Sequence, residues 1–141
     1  MSKTAIAIWQ GSGKEGNGNL STESHALDKV QYSWKSRFAD GAGTNPEELI
    51  AAAHAGCFTM AFSGQLSGAG LTPEKIETTA SVTLEKTAPG WTVTESHLQV
   101  TVKVPNADRA AVDKAAHTAE TNCPISRLLN AKITMDLKIE T

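Results

Sequence analysis

The sequence has no surplus of positive charge. Thirteen Lys and Arg stand against fifteen Asp and Glu, a formal net charge of −2. A surface built to hold phosphate backbones is normally clearly basic, so nucleic acid is not an expected partner. No run reaches the ~18 uninterrupted apolar residues of a membrane span, so no membrane is expected either. The segment after Met1 lacks the apolar core of a signal peptide, because Gln10, Gly11 and Lys14 break it. The expected compartment is the cytoplasm. Cysteine is limited to Cys57 and Cys123. Their separation excludes a CxxC motif and zinc-knuckle spacing, and in a cytoplasmic chain such thiols are more often free or redox-active than structural. There is no internal repeat, low-complexity tract or linker. With 141 residues, 40% of them apolar, a single domain spanning residues 1–141 is expected.

One further absence marks the centre of the chain. Between Glu48 and Glu74 no charged residue occurs, His54 apart. The stretch opens with helix-start chemistry: Asn45 as cap, Pro46 at the first helical position, and Thr44/Glu47 and Asn45/Glu48 at capping-box spacing. The helix is expected to run to about Ser67, where Gly68-Ala69-Gly70 ends it. A helix apolar nearly all round is a buried helix. Ala51, Ala52, Ala53, Ala55 and Gly56 keep it thin, so another element can approach closely. One sheet covers only one side of such a rod, and a second copy of the same helix in a homodimer would bury the rest.

Around it, residues 4–10 read as a strand. Gly11-Ser12-Gly13-Lys14-Glu15-Gly16 reads as a hairpin tip rather than a phosphate cradle, since no helix pattern follows. Residues 30–38 alternate and read as a strand. Residues 76–86 and 91–104 form two more strands. Asn106 is the expected cap of a helix ending near Asn122. Cys123, followed by Pro124, is the expected cap of a short helix over residues 125–129. Residues 132–141 alternate again. Segregated strands and helices with short turns predict an α+β fold, mostly antiparallel.

The chemistry centres on the two cysteines, as a nucleophile with a resolving thiol or as two unrelated buried residues. Cys123 stands at a helix start, where N–H dipoles favour thiolate. Cys57 needs a neighbour to lower its pKa, since an apolar helix alone raises it. His54, at i−3, is one candidate, or else a satisfied core histidine. Arg37 is another, or else a solvated strand residue. Glu47 stands ten residues upstream of Cys57, ~15 Å along a straight helix. It therefore reaches the cysteine of an antiparallel partner, or serves only as a first-turn carboxylate against the helix dipole. No His or Cys pair except His54 and Cys57 has close ligand spacing, and neither metal nor other cofactor is expected.

Thr44-Asn45-Pro46-Glu47-Glu48-Leu49-Ile50 followed by Ala52-Ala53-His54-Ala55-Gly56-Cys57-Phe58 resembles the OsmC/Ohr family. Leu20-Ser21-Thr22-Glu23-Ser24, Arg37-Phe38 and Cys123-Pro124-Ile125-Ser126 fit in order, and the match spans essentially the whole chain. Gly56 stands where alanine is expected. The resemblance implies an intertwined homodimer, with sheet from both chains around two cysteine-bearing helices. It implies a haem-free, metal-free thiol peroxidase that reduces organic hydroperoxides and, less efficiently, hydrogen peroxide, in oxidative or osmotic stress defence. Cys57 is then the peroxidatic thiol and Cys123 the resolving one. Arg37 and Glu47 hold the thiolate, and a dithiol such as dihydrolipoamide or a lipoylated protein is the reductant. Phe58, Met60 and Phe62 stand near the cysteine and could favour a hydrocarbon-bearing peroxide, core packing being their default. The alternatives are a non-enzymatic redox-sensing stress protein and an acyl-transfer enzyme with His54 as base.

Overall fold

Ten elements follow one another along residues 1–141, all of which the computed structural model describes. The chain divides into two compact units, residues 1–49 and 50–141.

In the first unit, β1 (Ala5–Gln10), β2 (Asn17–Thr22) and β3 (Val30–Tyr32) form an antiparallel sheet in the order β1-β2-β3. The glycine-rich tip joins β1 to β2 as expected. The third strand is much shorter than its alternation suggests. Ser33 stops it: its hydroxyl accepts from the Ser36 N–H at 3.2 Å, and the Ser36 hydroxyl accepts from the Ser33 N–H at 2.8 Å. That reciprocal capping starts α1 (Trp34–Phe38), so Arg37 is a helix residue and not a strand residue. The buried Ser36 hydroxyl also donates to the Thr44 carbonyl at 2.8 Å, and the Asn45 side-chain amide donates to the Ser36 carbonyl at 2.9 Å. These two bonds tie α1 to the residues that open the long helix. Between them Gly43 is obligatory: its φ is +103°, and a Cβ there would meet the Gln31 carbonyl oxygen.

The long helix, α2 (Pro46–Gly68), starts as the sequence predicts. Asn45 accepts from the Glu48 N–H at 2.8 Å. The Glu48 carboxylate, however, takes the Thr44 hydroxyl at 2.6 Å instead of completing a box with Asn45. The helix ends in a Schellman turn. Leu71 N–H reaches the Leu66 carbonyl at 2.8 Å, Gly70 N–H reaches Ser67 at 3.0 Å, and Gly70 holds φ +76°.

In the second unit, β4 (Lys75–Thr87), β5 (Gly90–Lys103) and β6 (Lys132–Glu140) form a sheet in the order β4-β5-β6. The β4–β5 pair is antiparallel, with a register shift at Thr83/Leu84, and β5–β6 is parallel. Between β5 and β6 lie α3 (Arg109–Asn122) and α4 (Pro124–Leu128). Asp108 caps α3, accepting from the Ala110 N–H at 3.3 Å. Asn106, the expected cap, instead turns the chain with φ +61°. Cys123 caps α4 as expected.

The core of this unit explains the placement of α2. Its fully enclosed residues are His54, Phe58, Phe62 and Leu66, four apart on one stripe. They share the core with Leu98, Val100 and Val102 of β5 and with Val112, Ala116 and Ala119 of α3. Each large side chain so buried stabilises the unit by about 1.5–3 kcal/mol before entropy is counted. The helix is apolar all round but enclosed on this stripe alone. Ala53, Gly56, Met60 and Gly64 line an exposed stripe, with Met60 78% exposed.

Candidate active site

The two cysteines, far apart in sequence, come together in the second unit. Cys57, half-buried on α2, lies beside the buried Cys123, close enough for the second thiol to influence its proton, and near the Ile125 backbone. Burial pushes the Cys57 thiol above its ordinary pKa, the Ile125 bond opposes this, and the Cys123 contact adds to the rise. Within one chain the Cys57 thiol thus holds its proton more tightly than an ordinary thiol, beside a second thiol.

Cys123 is held from the other side by α4. The Ser126 N–H donates to Cys123 Sγ at 3.3 Å, and the Cys123 thiol donates to Ser126 Oγ at 3.2 Å. Ser126 in turn lies 2.7 Å from His54 Nε2, and His54 Nδ1 lies 2.6 Å from Ser96 Oγ. His54 therefore does not pair with Cys57. Both its ring nitrogens are engaged by serines of α4 and β5, so of the two expectations it is the satisfied core histidine that holds. The ring is fully enclosed, and burial holds its pKa below the ordinary 6.5. Every buried polar side-chain atom has a partner.

Sequence reading passed over Ser96. A signal was present: it occupies the same face of β5 as Leu98, Val100 and Val102, and a polar residue in an apolar row implies a buried partner. Phe58 and Phe62 are fully enclosed, as their default reading as core residues expects, and not hydrocarbon contacts at an open surface.

In the first unit the structure joins Arg37 to Glu47. Arg37 NH2 donates to Glu47 Oε1 at 2.7 Å, and Nε contacts both carboxylate oxygens at 3.1 and 3.2 Å. This fork-to-carboxylate geometry fixes the guanidinium plane. The pair borders an aromatic cleft of 190 Å³ lined by Trp9, Tyr32, Trp34, Phe38 and Pro46. Trp9 and Tyr32 meet as tilted rings 5.3 Å apart between centroids, Trp34 and Phe38 likewise at 5.4 Å, and the Arg37 guanidinium lies 5.3 Å over the Phe38 ring. Sequence reading missed this cleft, because its aromatics are spread over β1, β3 and α1.

Comparison with known proteins places this arrangement in context. The family profile described as OsmC-like protein matches residues 39–138. Peroxiredoxin OsmC of Escherichia coli is 44% identical over 139 residues, covering 99% of this chain and 97% of that protein. Organic hydroperoxide resistance protein-like 1 of Staphylococcus epidermidis is 32% identical over 103 residues, covering 72% of this chain and 73% of that protein. Among solved structures, an OsmC-like protein of unknown function from Vibrio cholerae superposes with a TM-score of 0.79 at 19% identity, covering 97% of this chain and 99% of that one. The organic hydroperoxide resistance protein OhrB of Bacillus subtilis gives 0.71 at 24% identity, with 96% and 98% covered, a likeness of fold. With its paired thiols, its forked Arg37–Glu47 contact and these relatives, the chain belongs to the OsmC/Ohr family of OsmC-like proteins.

Proposed function

We propose that this protein is a dithiol-dependent thiol peroxidase that reduces organic hydroperoxides, and less efficiently hydrogen peroxide, to alcohols. The observation that carries the reading is that Cys57 and Cys123, far apart in sequence, lie side by side at the core of one unit. Two neighbouring cysteines need little chain motion to form a disulfide, and Cys57 is the less buried of the two.

The Cys57 thiolate attacks the peroxide. A sulfur–oxygen bond forms, the O–O bond breaks, and the departing alkoxide takes a proton to leave as alcohol. Cys57 is then a sulfenic acid. The Cys123 sulfur attacks it, a sulfur–sulfur bond forms, and water leaves. An external dithiol, such as dihydrolipoamide or a lipoylated protein, reopens the disulfide by exchange and is itself oxidised.

The raised pKa of Cys57 requires a cation to complete the site, and Arg37, held by Glu47, is the one proposed. Glu47 in the first turn of α2 stands ~15 Å of helix from Cys57 of the same chain. A partner copy lying antiparallel along the exposed stripe of α2 brings its own Arg37–Glu47 pair to that cysteine. The homodimer and the shared site are therefore one proposal. The aromatic cleft beside Arg37 suits the hydrocarbon part of an organic peroxide. Stress defence in the cytoplasm is the physiological setting that fits this chemistry.

The test is peroxide consumption with cumene or tert-butyl hydroperoxide and dihydrolipoamide. Cys57→Ser should be inactive. Cys123→Ser should be oxidised once and recycle poorly. Consumption that survives Cys57→Ser rejects the reading, and a wild-type disulfide without turnover points to a redox sensor instead.

A further inference from the structure

One chain of hydrogen bonds is left unused by the mechanism above. It runs from Cys123 Sγ to Ser126 Oγ at 3.2 Å, to His54 Nε2 at 2.7 Å, and through the ring to Ser96 Oγ at 2.6 Å from Nδ1. It joins three elements, α4, α2 and β5, and all three side chains behind the thiol are buried. The order of protons follows from what each group can give. The Cys123 S–H donates to Ser126, so the single Ser126 proton is free for His54 Nε2, and the Nδ1–H is left for Ser96. Every donor then points the same way, from the thiol toward the imidazole. The acceptor nitrogen of His54 thus reaches the Cys123 thiol through a single hydroxyl.

We infer that Ser126 and His54 are a proton relay for the resolving cysteine: Ser126 is a catalytic residue in contact with the reacting sulfur, and His54 is the positioning residue behind it. The inference rests on the disulfide chemistry proposed above and deepens it. When Cys57 carries a sulfenic acid, Cys123 Sγ must lose its proton as it attacks. That proton passes to Ser126 Oγ while Ser126 passes its own to His54 Nε2. The new sulfur–sulfur bond displaces hydroxide from Cys57. The hydroxide leaves from the side of Cys57 opposite Cys123 and takes a proton from solvent at this half-exposed residue, so water departs while His54 holds the relayed proton. The two sulfurs share the oxidation that the peroxide placed on Cys57, and no other oxidant is needed. In the reductive half, exchange at the half-exposed Cys57 expels Cys123 as thiolate, and His54 returns its held proton to that sulfur through the Ser126 hydroxyl. Burial, which keeps His54 neutral at rest, leaves it able to accept. Positioned acid–base groups of this kind typically contribute 10²- to 10⁴-fold.

The experiment follows the sulfenic acid in a single turnover. Protein is mixed with one equivalent of cumene hydroperoxide, quenched at intervals with dimedone, and the trapped Cys57 is measured by mass spectrometry beside the Cys57–Cys123 disulfide. Ser126→Ala should lengthen the sulfenic-acid lifetime about 100-fold. His54→Gln, which keeps hydrogen bonding but cannot take a proton, should lengthen it at least tenfold. Ser126→Thr, which keeps the hydroxyl, should resolve within about threefold of wild type, a rescue that a purely structural role would not produce. Wild-type lifetimes in both Ser126→Ala and His54→Gln overturn the relay alone. A wild-type protein that forms no Cys57–Cys123 disulfide with peroxide overturns the catalytic reading and the relay together.

Discussion

Arg37 grips Glu47 by three N–H···O contacts, the shortest 2.7 Å, from a five-residue helix that Ser36 also ties to Thr44 and Asn45 at the start of α2. The Arg37 side chain remains 39% exposed, so the pair contributes little to stability, in the range of 0.2–1 kcal/mol for exposed ion pairs. Its proposed work is electrostatic. Arg37→Ala should therefore slow the first turnover with cumene hydroperoxide by about 10²- to 10³-fold, the scale for loss of a pre-aimed donor. Unfolding in urea should change by less than about 1 kcal/mol. A stopped-flow rate equal to wild type would remove Arg37 from the site.

The dimer is tested at Met60, which stands 78% exposed on an apolar helix. Sedimentation velocity at micromolar concentration should give the mass of two chains. Met60→Asp should give one chain and lose peroxide turnover at the same time, because the proposed cation comes from the partner. A monomeric wild type with full turnover would refute the shared site.

The aromatic cleft predicts specificity. Trp34→Ala removes one wall of a 190 Å³ space beside Arg37. The kcat/KM for cumene hydroperoxide should fall about tenfold more than that for hydrogen peroxide, consistent with 1–3 kcal/mol for lost hydrophobic contact. Equal losses for both substrates would show that the cleft does not bind the alkyl group.

Stability should depend on pH through His54. Its folded pKa lies below the unfolded value of 6.5 because burial disfavours the charged ring. As pH falls through 6.5, the unfolded chain takes up a proton that the folded chain refuses. Stability is then lost, by at most about 1.4 kcal/mol per pH unit, until the folded pKa is reached. Above 6.5 the group contributes no slope. Urea unfolding from pH 7.5 to 5 should show this slope in wild type and a smaller one in His54→Gln. The Cys57 thiol works in the opposite range: its folded pKa is raised, so stability falls as pH rises past 9.0.

How much was legible in the chain beforehand depends on the reach of each signal. The start of α2 was readable because Asn45, Pro46 and Glu48 act within one turn. Its end was readable because a left-handed Gly70 closes the turn locally. The alternation of residues 30–38 misled, since period-2 spacing over a few residues says nothing against a helix. The deciding feature was a Ser33–Ser36 capping exchange, easily passed over in a serine-containing strand pattern. Asn106 misled for a similar reason: it suits a cap and a left-handed turn equally, and Asp108 two residues on took the cap.

By itself, the sequence determined the local elements, the apolar character of α2, the scarcity of cysteine and the motifs that resemble one family. These follow from interactions within a few residues of chain. Only tertiary structure decided which side chains meet: that Cys57 lies beside Cys123, that Arg37 closes on Glu47 from a helix, and that His54 faces Ser96 and Ser126 instead of the cysteine three residues away. The physical reason is that an enclosed polar group must find its partner wherever the packed core provides one. For His54 those partners lie 42 and 72 residues along the chain, beyond the reach of any local pattern.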